Sequence, residues 1–186
     1  MPDKIRSFIA IELSKEIQGE LGNLIAELKQ VEGDIRWAKV ENIHLTLKFL
    51  GNLSTEELDI VKRVMDKTIS GVQNFTLSLG KLGGFPNFNR PRVIWVGIDK
   101  GADEVRRING QLEDLLAKEG FEREEREFHP HLTLGRIKTR KGLSPGFRIT
   151  PGWNCPCSMD VSHLTLFQST LTPKGSIYTP LKTSSF

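Results

Sequence analysis

Two histidines open the same four-residue motif, His-Leu-Thr-Leu, at residues 44–47 and again at residues 131–134. Side chains two residues apart in a β-strand point to the same face, so His44 and Thr46 project together while the leucines point to the other face. The same alternation applies to His131 and Thr133. If both strands border one cleft, that cleft receives two imidazoles and two hydroxyls.

This set of side chains suits the cleavage of a phosphodiester. In-line displacement at phosphorus needs a base on the attacking side and an acid on the leaving side, and histidine can serve as either near neutral pH because its ordinary pKa is about 6.5. Threonine hydroxyls can donate hydrogen bonds to the non-bridging phosphate oxygens. We therefore predict acid–base catalysis by His44 and His131, with Thr46 and Thr133 as phosphate ligands and with no metal or cofactor.

Hydrophobic periodicity predicts the elements that carry these residues. Short apolar or alternating runs predict strands at residues 7–13, 43–50, 75–79, 93–98, 131–137 and 161–167. Helical spacing predicts one helix with Ser14 as its N-cap, a second opened by a capping box at residues 54–57, and a third around residues 105–116. Residues 83–91 are rich in Gly, Pro and Asn, which predicts a long loop.

The order of these elements repeats along the chain. The two motifs lie 87 residues apart (131 − 44), and the same offset maps residues 95–100 onto residues 8–13 and the third helix onto the first. We infer an internal duplication that builds an α+β fold of two pseudo-symmetric lobes with a cleft between them. A single domain of residues 1–186 would then carry motif 44–47 in its N-terminal lobe and motif 131–134 in its C-terminal lobe.

Two further histidines repeat parts of the pattern. His163 opens a third His-Leu-Thr-Leu, but no strand–helix unit precedes it and the 87-residue offset does not reach it, so we predict an ordinary alternating strand there. His129 forms a His-Pro-His sequence with His131, a spacing that can hold a transition metal with His44 as a third ligand. No Asp, Glu or Cys directly flanks either motif strand, so we predict no metal site and expect that His129 could line the cleft.

Composition and length fit one ordinary domain. The 186 residues are 38% hydrophobic and 26% charged, and no run of 18 or more apolar residues predicts a membrane span. The first residues lack the apolar segment and cleavage site of a secretory signal, so we expect a cytoplasmic protein. Nothing in the pattern demands more than a monomer.

Charge and cysteine content add two smaller expectations. The net charge of +3 permits a polyanionic partner, and the basic run at residues 136–141 could be a nucleic-acid contact or simply a solvated loop. The only cysteines, Cys155 and Cys157, flank Pro156. We predict free thiols in a surface loop, because a disulfide across one residue would be strained and two thiols cannot complete a zinc site.

The sequence resembles the two-histidine (2H) phosphoesterase superfamily, and in particular its RNA 2′,3′-cyclic phosphodiesterases, which are also called 2′-5′ RNA ligases. The resemblance covers essentially the whole chain. It rests on residues 6–11 (RSFIAI), 44–51 (HLTLKFLG), 84–87 (GFPN), 91–95 (PRVIW), 129–136 (HPHLTLGR) and 168–178 (QSTLTPKGSIY). One departure is the threefold His-Leu-Thr-Leu, since the last strand of the family usually lacks that histidine.

The resemblance implies a bilobal fold in which each lobe has an antiparallel sheet and helices, and it implies hydrolysis of a 2′,3′-cyclic phosphate at an RNA end, such as that of a tRNA half, to a 2′-phosphate. His44 would then protonate the 3′ leaving oxygen and His131 would activate water, although the near-symmetric site leaves the reverse assignment open. Arg136 would contact the phosphate, and Phe49 would lie near the base. Strand parity places Phe49 on the leucine face, so a bend after Lys48 is needed.

Three other functions use the same residues. The reverse reaction would join RNA ends through a 2′-5′ linkage, but water is the abundant nucleophile and no nucleotide-activation motif such as a P-loop is present. A non-catalytic module that binds RNA ends or nucleotides could keep the fold, although it would not need both histidines. A phosphodiesterase for small cyclic nucleotides or ADP-ribose cyclic phosphate is the third, and the basic run favours a longer polyanion instead.

Overall fold

The computed structural model describes residues 4–30, 34–87, 91–138, 153, 155–173 and 175–186. In these ranges the helices are α1 (Lys15–Leu28), α2 (Thr55–Ile69) and α3 (Ala102–Lys118), and Val40–Asn42 form a 3₁₀ turn. The strands are β1 (Ile5–Ile11), β2 (Ile35–Trp37), β3 (Leu45–Leu53), β4 (Phe75–Phe85), β5 (Val93–Ile98), β6 (His131–Ile137), β7 (Ser158–Val161), β8 (His163–Thr172) and β9 (Gly175–Ser185). None of these helices has the length and apolar composition needed to cross a membrane.

Antiparallel pairing assembles the strands into two sheets. The first sheet has the order β3-β1-β8-β9, and the second has the order β2-β6-β5-β4-β7. One motif strand, β3, lies in the first sheet, and the other, β6, lies in the second. The predicted α+β fold of two lobes is therefore confirmed, with one motif in each lobe.

The predicted duplication extends one strand further than the sequence indicated. β1 pairs with β3 in the first sheet as β5 pairs with β6 in the second. Adding 87 to the bounds of β4 gives residues 162–172, which is nearly the span of β8. β4 pairs with β5, whereas β8 pairs with β1. Each half of the chain therefore contributes strands to the sheet of the other half, β2 and β4 from the first half and β8 and β9 from the second.

Local signals at the helix starts are those that the sequence predicts. The Ser14 hydroxyl accepts a hydrogen bond from the Ile17 amide at the start of α1. Ser54 and Glu57 form the capping box of α2, with each side chain bonded to the other residue's backbone. The apolar positions at helical spacing are buried in a continuous core: Ile17, Leu21, Leu24, Ile25, Leu58, Val61, Met65, Val105, Ile108, Leu112 and Leu116.

The loop predicted at residues 83–91 is wrong for its first three residues, and residues 88–90 lie outside the described residues. Gly83, Gly84 and Phe85 belong to β4 and pair with β5. A Cβ at Gly83 would lie 2.3 Å from the indole ring of Trp95, so this glycine makes room for a neighbouring aromatic ring and does not form a turn. The sequence did not predict the short strands β2 and β7 or the C-terminal strand β9. The strand predicted at residues 161–167 overlaps the last residue of β7 and the first half of β8.

The prediction of free surface thiols is wrong. Cys155 and Cys157 form a disulfide bond, and both residues are buried against the hydrophobic core. Their Cα atoms lie 5.2 Å apart, within the range that a disulfide spans. Most of the preceding segment, including residues 139–141 of the basic run, lies outside the described residues.

The contact between Gly83 and Trp95 predicts that Gly83→Ala lowers the free energy of unfolding by about 1–3 kcal/mol, the usual cost of overpacking. Gly19→Ala is the matched control, because Gly19 lies in α1 with nothing within 4 Å of its Cβ position and the substitution should stabilise the helix by up to about 1 kcal/mol. Urea denaturation of both variants measures the difference. Equal stability of the two variants would contradict the close packing described here.

Candidate active site

Both motifs line one open cleft of about 1590 Å³ between the lobes. His44, Thr46, His131 and Thr133 all contribute to its wall. The alternating leucines point the other way and are fully or nearly fully buried: Leu45, Leu47, Leu132 and Leu134. The structure therefore brings together the four side chains that the sequence pairs by type and spacing.

The two imidazoles are held in the same way. Nδ1 of His44 lies 2.8 Å from the carbonyl oxygen of Asn42, and Nδ1 of His131 lies 2.6 Å from the carbonyl oxygen of His129. A carbonyl can only accept a hydrogen bond, so each Nδ1 carries a proton and donates it. Nε2 of each ring is left available as the atom that can take or give a proton to a substrate.

Aromatic rings form the walls behind the histidines. Phe8 stacks on His44 with ring centroids 4.6 Å apart, and Tyr178 meets His44 edge-on at 5.1 Å. Phe85 meets His131 edge-on at 5.1 Å, and Trp95 lies at 6.2 Å. These rings restrict the orientation of the imidazoles and remove them partly from water.

Sequence reasoning did not single out these aromatic residues, although a signal was present. Phe8 and Trp95 lie 87 residues apart, at equivalent places in the two halves. The same offset relates Asn42 to His129, the residues whose carbonyls hold the imidazoles. Asn42 has a second role, because its side chain donates to the carbonyl of Ser176 on β9, two residues from Tyr178.

Burial sets the protonation of both histidines. Burial lowers the pKa of His44, and the hydrogen bond with the Asn42 carbonyl raises it only in part. Burial also lowers the pKa of His131, against the opposing hydrogen bond with the His129 carbonyl, and the positive charge of Arg136 lowers it further. Both rings therefore favour the neutral form near pH 7 when the cleft is empty.

A β-bulge interrupts each motif strand at the same place. In β3, Thr46 lies opposite Ala10 but Lys48 lies opposite Ile9, which leaves Leu47 as the extra residue. In β6, Thr133 and Gly135 lie opposite consecutive residues of β5, which leaves Leu134 as the extra residue. Leu47 and Leu134 are again 87 residues apart.

The bulges shift the parity of the strands and so bring two further side chains to the cleft. Phe49 is 68% exposed and lines the cleft, and Arg136 occupies the equivalent position 87 residues later and lines it as well. The sequence predicted a bend after Lys48, and the structure places the irregularity just before it, between Thr46 and Lys48. One lobe thus presents an aromatic ring where the other presents a guanidinium.

Hydrogen bonds from the opposite half of the chain hold the first bulge. The Leu47 carbonyl accepts from the Asn109 side chain of α3 at 2.9 Å. Lys48 is only 7% exposed, and its Nζ donates to Glu113 at 2.7 Å and to the Glu122 carbonyl at 2.8 Å. No spacing in the sequence indicates these contacts, because they join residues that are more than 60 positions apart.

Other cations line the cleft beside Arg136. Arg36 lies directly opposite Arg136 in the pairing of β2 with β6, and both line the cleft together with Lys39 and Arg126. Lys138, the last described residue of the predicted basic run, lies 3.9 Å from a carboxylate oxygen of Asp34. The positive charge at the cleft therefore comes partly from β2, which the sequence analysis did not identify.

The two remaining histidines lie in different surroundings. His129 lines the cleft and its Nε2 lies 3.8 Å from Glu127. His163 is not among the residues that line the cleft, and it lies 3.2 Å from the Ser162 hydroxyl and 3.7 Å from Glu12. Over the described part of the chain, no group of three or more His, Cys, Asp or Glu side chains is arranged to hold a metal ion.

The profile of the LigT-like phosphoesterases matches this chain twice, at residues 11–95 and at residues 96–178. The chain belongs to the LigT-like phosphoesterase family. The two matches meet within β5, and each covers most of one copy of the duplication.

Two curated RNA 2′,3′-cyclic phosphodiesterases are similar to this chain over nearly their whole length. A protein of Aeropyrum pernix named RNA 2′,3′-cyclic phosphodiesterase is 36% identical over 167 residues, with 88% of this chain and 93% of that protein aligned. A protein of Archaeoglobus fulgidus with the same name is 35% identical, with 96% of this chain and 98% of that protein aligned.

Two solved structures share the fold of this chain. A crystal structure of a Thermus thermophilus protein matches with a TM-score of 0.84 at 26% identity over 97% of both chains. Escherichia coli LigT in complex with 3′-AMP matches with a TM-score of 0.77 at 28% identity over 99% of both chains.

The charge of Arg136 predicts a measurable change at His131. Arg136→Gln removes a positive charge that disfavours the imidazolium, so the pKa of His131 should rise toward its ordinary value while that of His44 stays nearly constant. NMR titration of the histidine ring protons measures both values without an activity assay. Arg63→Gln on α2 is the control that should move neither, and an unchanged His131 in Arg136→Gln would contradict the electrostatic contact.

Proposed function

We propose that this chain hydrolyses the 2′,3′-cyclic phosphate at an RNA end to a 2′-phosphate. The observation that carries the proposal is the pair of imidazoles, each held through Nδ1 by a backbone carbonyl and each lining one cleft with its motif threonine. The names of the relatives support the same reaction, and the 3′-AMP complex of Escherichia coli LigT supports nucleotide binding by a protein of this fold.

In the proposed reaction the two histidines act on opposite sides of the phosphorus. Nε2 of His131 takes a proton from water as the water oxygen attacks phosphorus. The bond between phosphorus and the 3′ oxygen breaks, and Nε2 of His44 gives its proton to that oxygen. The products are a 2′-phosphomonoester and a 3′-hydroxyl, and exchange of protons with solvent restores both histidines.

Three side chains would bind the phosphate while its charge changes. The hydroxyls of Thr46 and Thr133 follow the histidines on the cleft face of their strands and can donate to the non-bridging oxygens. Arg136 can add a bidentate, charge-assisted contact, because its bulge turns it toward the same cleft. Phe49, exposed on the other lobe, offers a stacking surface for the terminal base.

The surroundings of the two rings favour His44 as the acid and His131 as the base. Arg136 disfavours the protonated form of His131, as a base requires. The stacked ring of Phe8 presents its face to His44, and an aromatic face favours a cation over a neutral ring. The monomeric state, the cytoplasmic location and tRNA halves as substrates stay predictions of the sequence.

The reaction predicts the outcome of a direct assay on an oligonucleotide that ends in a 2′,3′-cyclic phosphate, with EDTA present. Wild type should release a 2′-phosphate end, and His44→Ala and His131→Ala should each lower kcat/KM by at least about 100-fold, since each removes one acid–base group. His163→Ala is the matched control and should retain activity, because His163 lies outside the cleft. A folded wild type without hydrolysis would overturn the proposal, and 2′-5′-joined products would indicate ligation instead.

The acid and base assignments predict different pH profiles for the two histidine variants. Activity should rise with pH as the base loses its proton and fall as the acid loses its proton. The residual activity of His131→Ala should therefore lack the rising limb, and that of His44→Ala should lack the falling limb. Because both pKa values are lowered, the wild-type optimum of kcat/KM should lie below pH 6.5. If His131→Ala instead lacks the falling limb and His44→Ala lacks the rising limb, the assignment of acid and base is reversed.

A further inference from the structure

A second, smaller pocket adjoins the cleft on the same face of the first sheet. Its volume is about 170 Å³. Phe49, Gly51, Ser176 and Tyr178 line both this pocket and the main cleft, so the two spaces share a wall. The residues that line the smaller pocket alone are Arg6, Ser7, Phe8, Ser169 and Leu171.

The smaller pocket lies next to the aromatic rings that contact His44. Arg6 and Phe8 project to the same face of β1, and Phe8 stacks on His44. Ser169 lies opposite Tyr178 in the pairing of β8 with β9, and Tyr178 meets His44 edge-on. A chain that leaves the cleft over Phe49 and Tyr178 therefore enters this pocket next.

The side chains of the pocket combine a cation with exposed apolar surface. Arg6 is exposed, and among the described residues no carboxylate lies within salt-bridge distance of it. Leu171 is 64% exposed and Phe49 is 68% exposed, although large apolar side chains are usually buried. A guanidinium beside apolar surface and serine hydroxyls suits a phosphate joined to a ribose and a base.

We propose that this pocket binds the nucleotide that precedes the cyclic end in an RNA chain. Arg6 contacts the phosphodiester that joins this nucleotide to the terminal one. The ribose or base of this nucleotide contacts Leu171 and the side of Phe49 that faces the pocket. The proposal rests on the proposed hydrolysis, and it adds that the protein recognises an RNA chain of at least two nucleotides and not only the terminal cyclic phosphate.

The test compares adenosine 2′,3′-cyclic phosphate with the ApA dinucleotide that ends in a 2′,3′-cyclic phosphate. Wild type should have the higher kcat/KM for the dinucleotide. Arg6→Ala should lower kcat/KM for the dinucleotide by about tenfold, the effect of one charge-assisted hydrogen bond, and leave that for the mononucleotide unchanged. Leu171→Ala should lower it by about threefold through lost apolar contact.

Two matched variants control for the loss of charge and of apolar surface. Arg63→Ala removes an exposed cation on α2, and Ile177→Ala removes an apolar side chain that is 56% exposed on β9 but lines neither pocket. Neither should change the ratio of the two substrates. Added salt should reduce the dinucleotide preference of wild type more than that of Arg6→Ala, because it screens the contact with the phosphate.

Each remaining outcome decides the proposal. Equal kcat/KM of wild type for the two substrates, or an equal loss on both substrates in Arg6→Ala, would overturn the subsite. If wild type hydrolyses neither substrate, the proposed hydrolysis fails, and calorimetric binding of ApA with a terminal 2′-phosphate and of adenosine 2′-phosphate then decides the subsite. The subsite is supported if wild type binds the dinucleotide more tightly than the mononucleotide and Arg6→Ala abolishes that difference. It is overturned if wild type binds the two ligands equally.

Discussion

The burial of four leucines is the constraint on which the site depends. Leu45, Leu47, Leu132 and Leu134 lie in the core, and side chains alternate along a strand, so the histidine and threonine of each motif must face the cleft. A slip of one residue in either strand would expose the leucines and bury the imidazole, which the lost apolar burial strongly opposes. The register that stabilises the core is therefore the register that assembles the candidate site. The exchange of β4 and β8 between the sheets then holds the two motif strands across one cleft.

The duplication supplies a symmetric pair of acid–base groups, and the residues after the bulges make the pair asymmetric. Phe49 and Arg136 occupy equivalent positions, yet one offers a stacking surface and the other a permanent charge. The residues before them differ as well, since Lys48 is a buried cation paired with Glu113 whereas Gly135 leaves room for the Trp37 ring. The terminal nucleotide of the proposed substrate is itself asymmetric, because its base and its cyclic phosphate lie on different sides of the ribose. The symmetric part of the cleft thus suits the reaction, and the asymmetric part suits the orientation of the substrate.

Local and periodic features could be predicted from the sequence, and long-range ones could not. The caps at Ser14 and Ser54, the helical stripes and the motif strands follow from patterns within a few residues, and the offset of 87 indicated two equivalent lobes. The exchange of β4 and β8, the Asn109 contact with Leu47 and the strand β2 that brings Arg36 beside Arg136 join distant segments through packing, which no local pattern encodes. The error at Cys155 and Cys157 has a related cause. Spacing alone indicated strain, whereas the two Cα atoms lie 5.2 Å apart, within disulfide range.

The protonation of the two imidazoles links the fold to the proposed chemistry. Burial favours two neutral rings in the empty cleft, but the proposed reaction needs one ring protonated. A phosphodiester carries the negative charge that favours an imidazolium beside it, so the substrate itself raises both pKa values. At His131 the guanidinium of Arg136 opposes that effect, whereas His44 lies among aromatic rings, and the face of Phe8 stacked on it favours the cation. In the proposed reaction, binding therefore places the proton on His44, and two histidines held identically by their backbones become an acid and a base because of the residues around them.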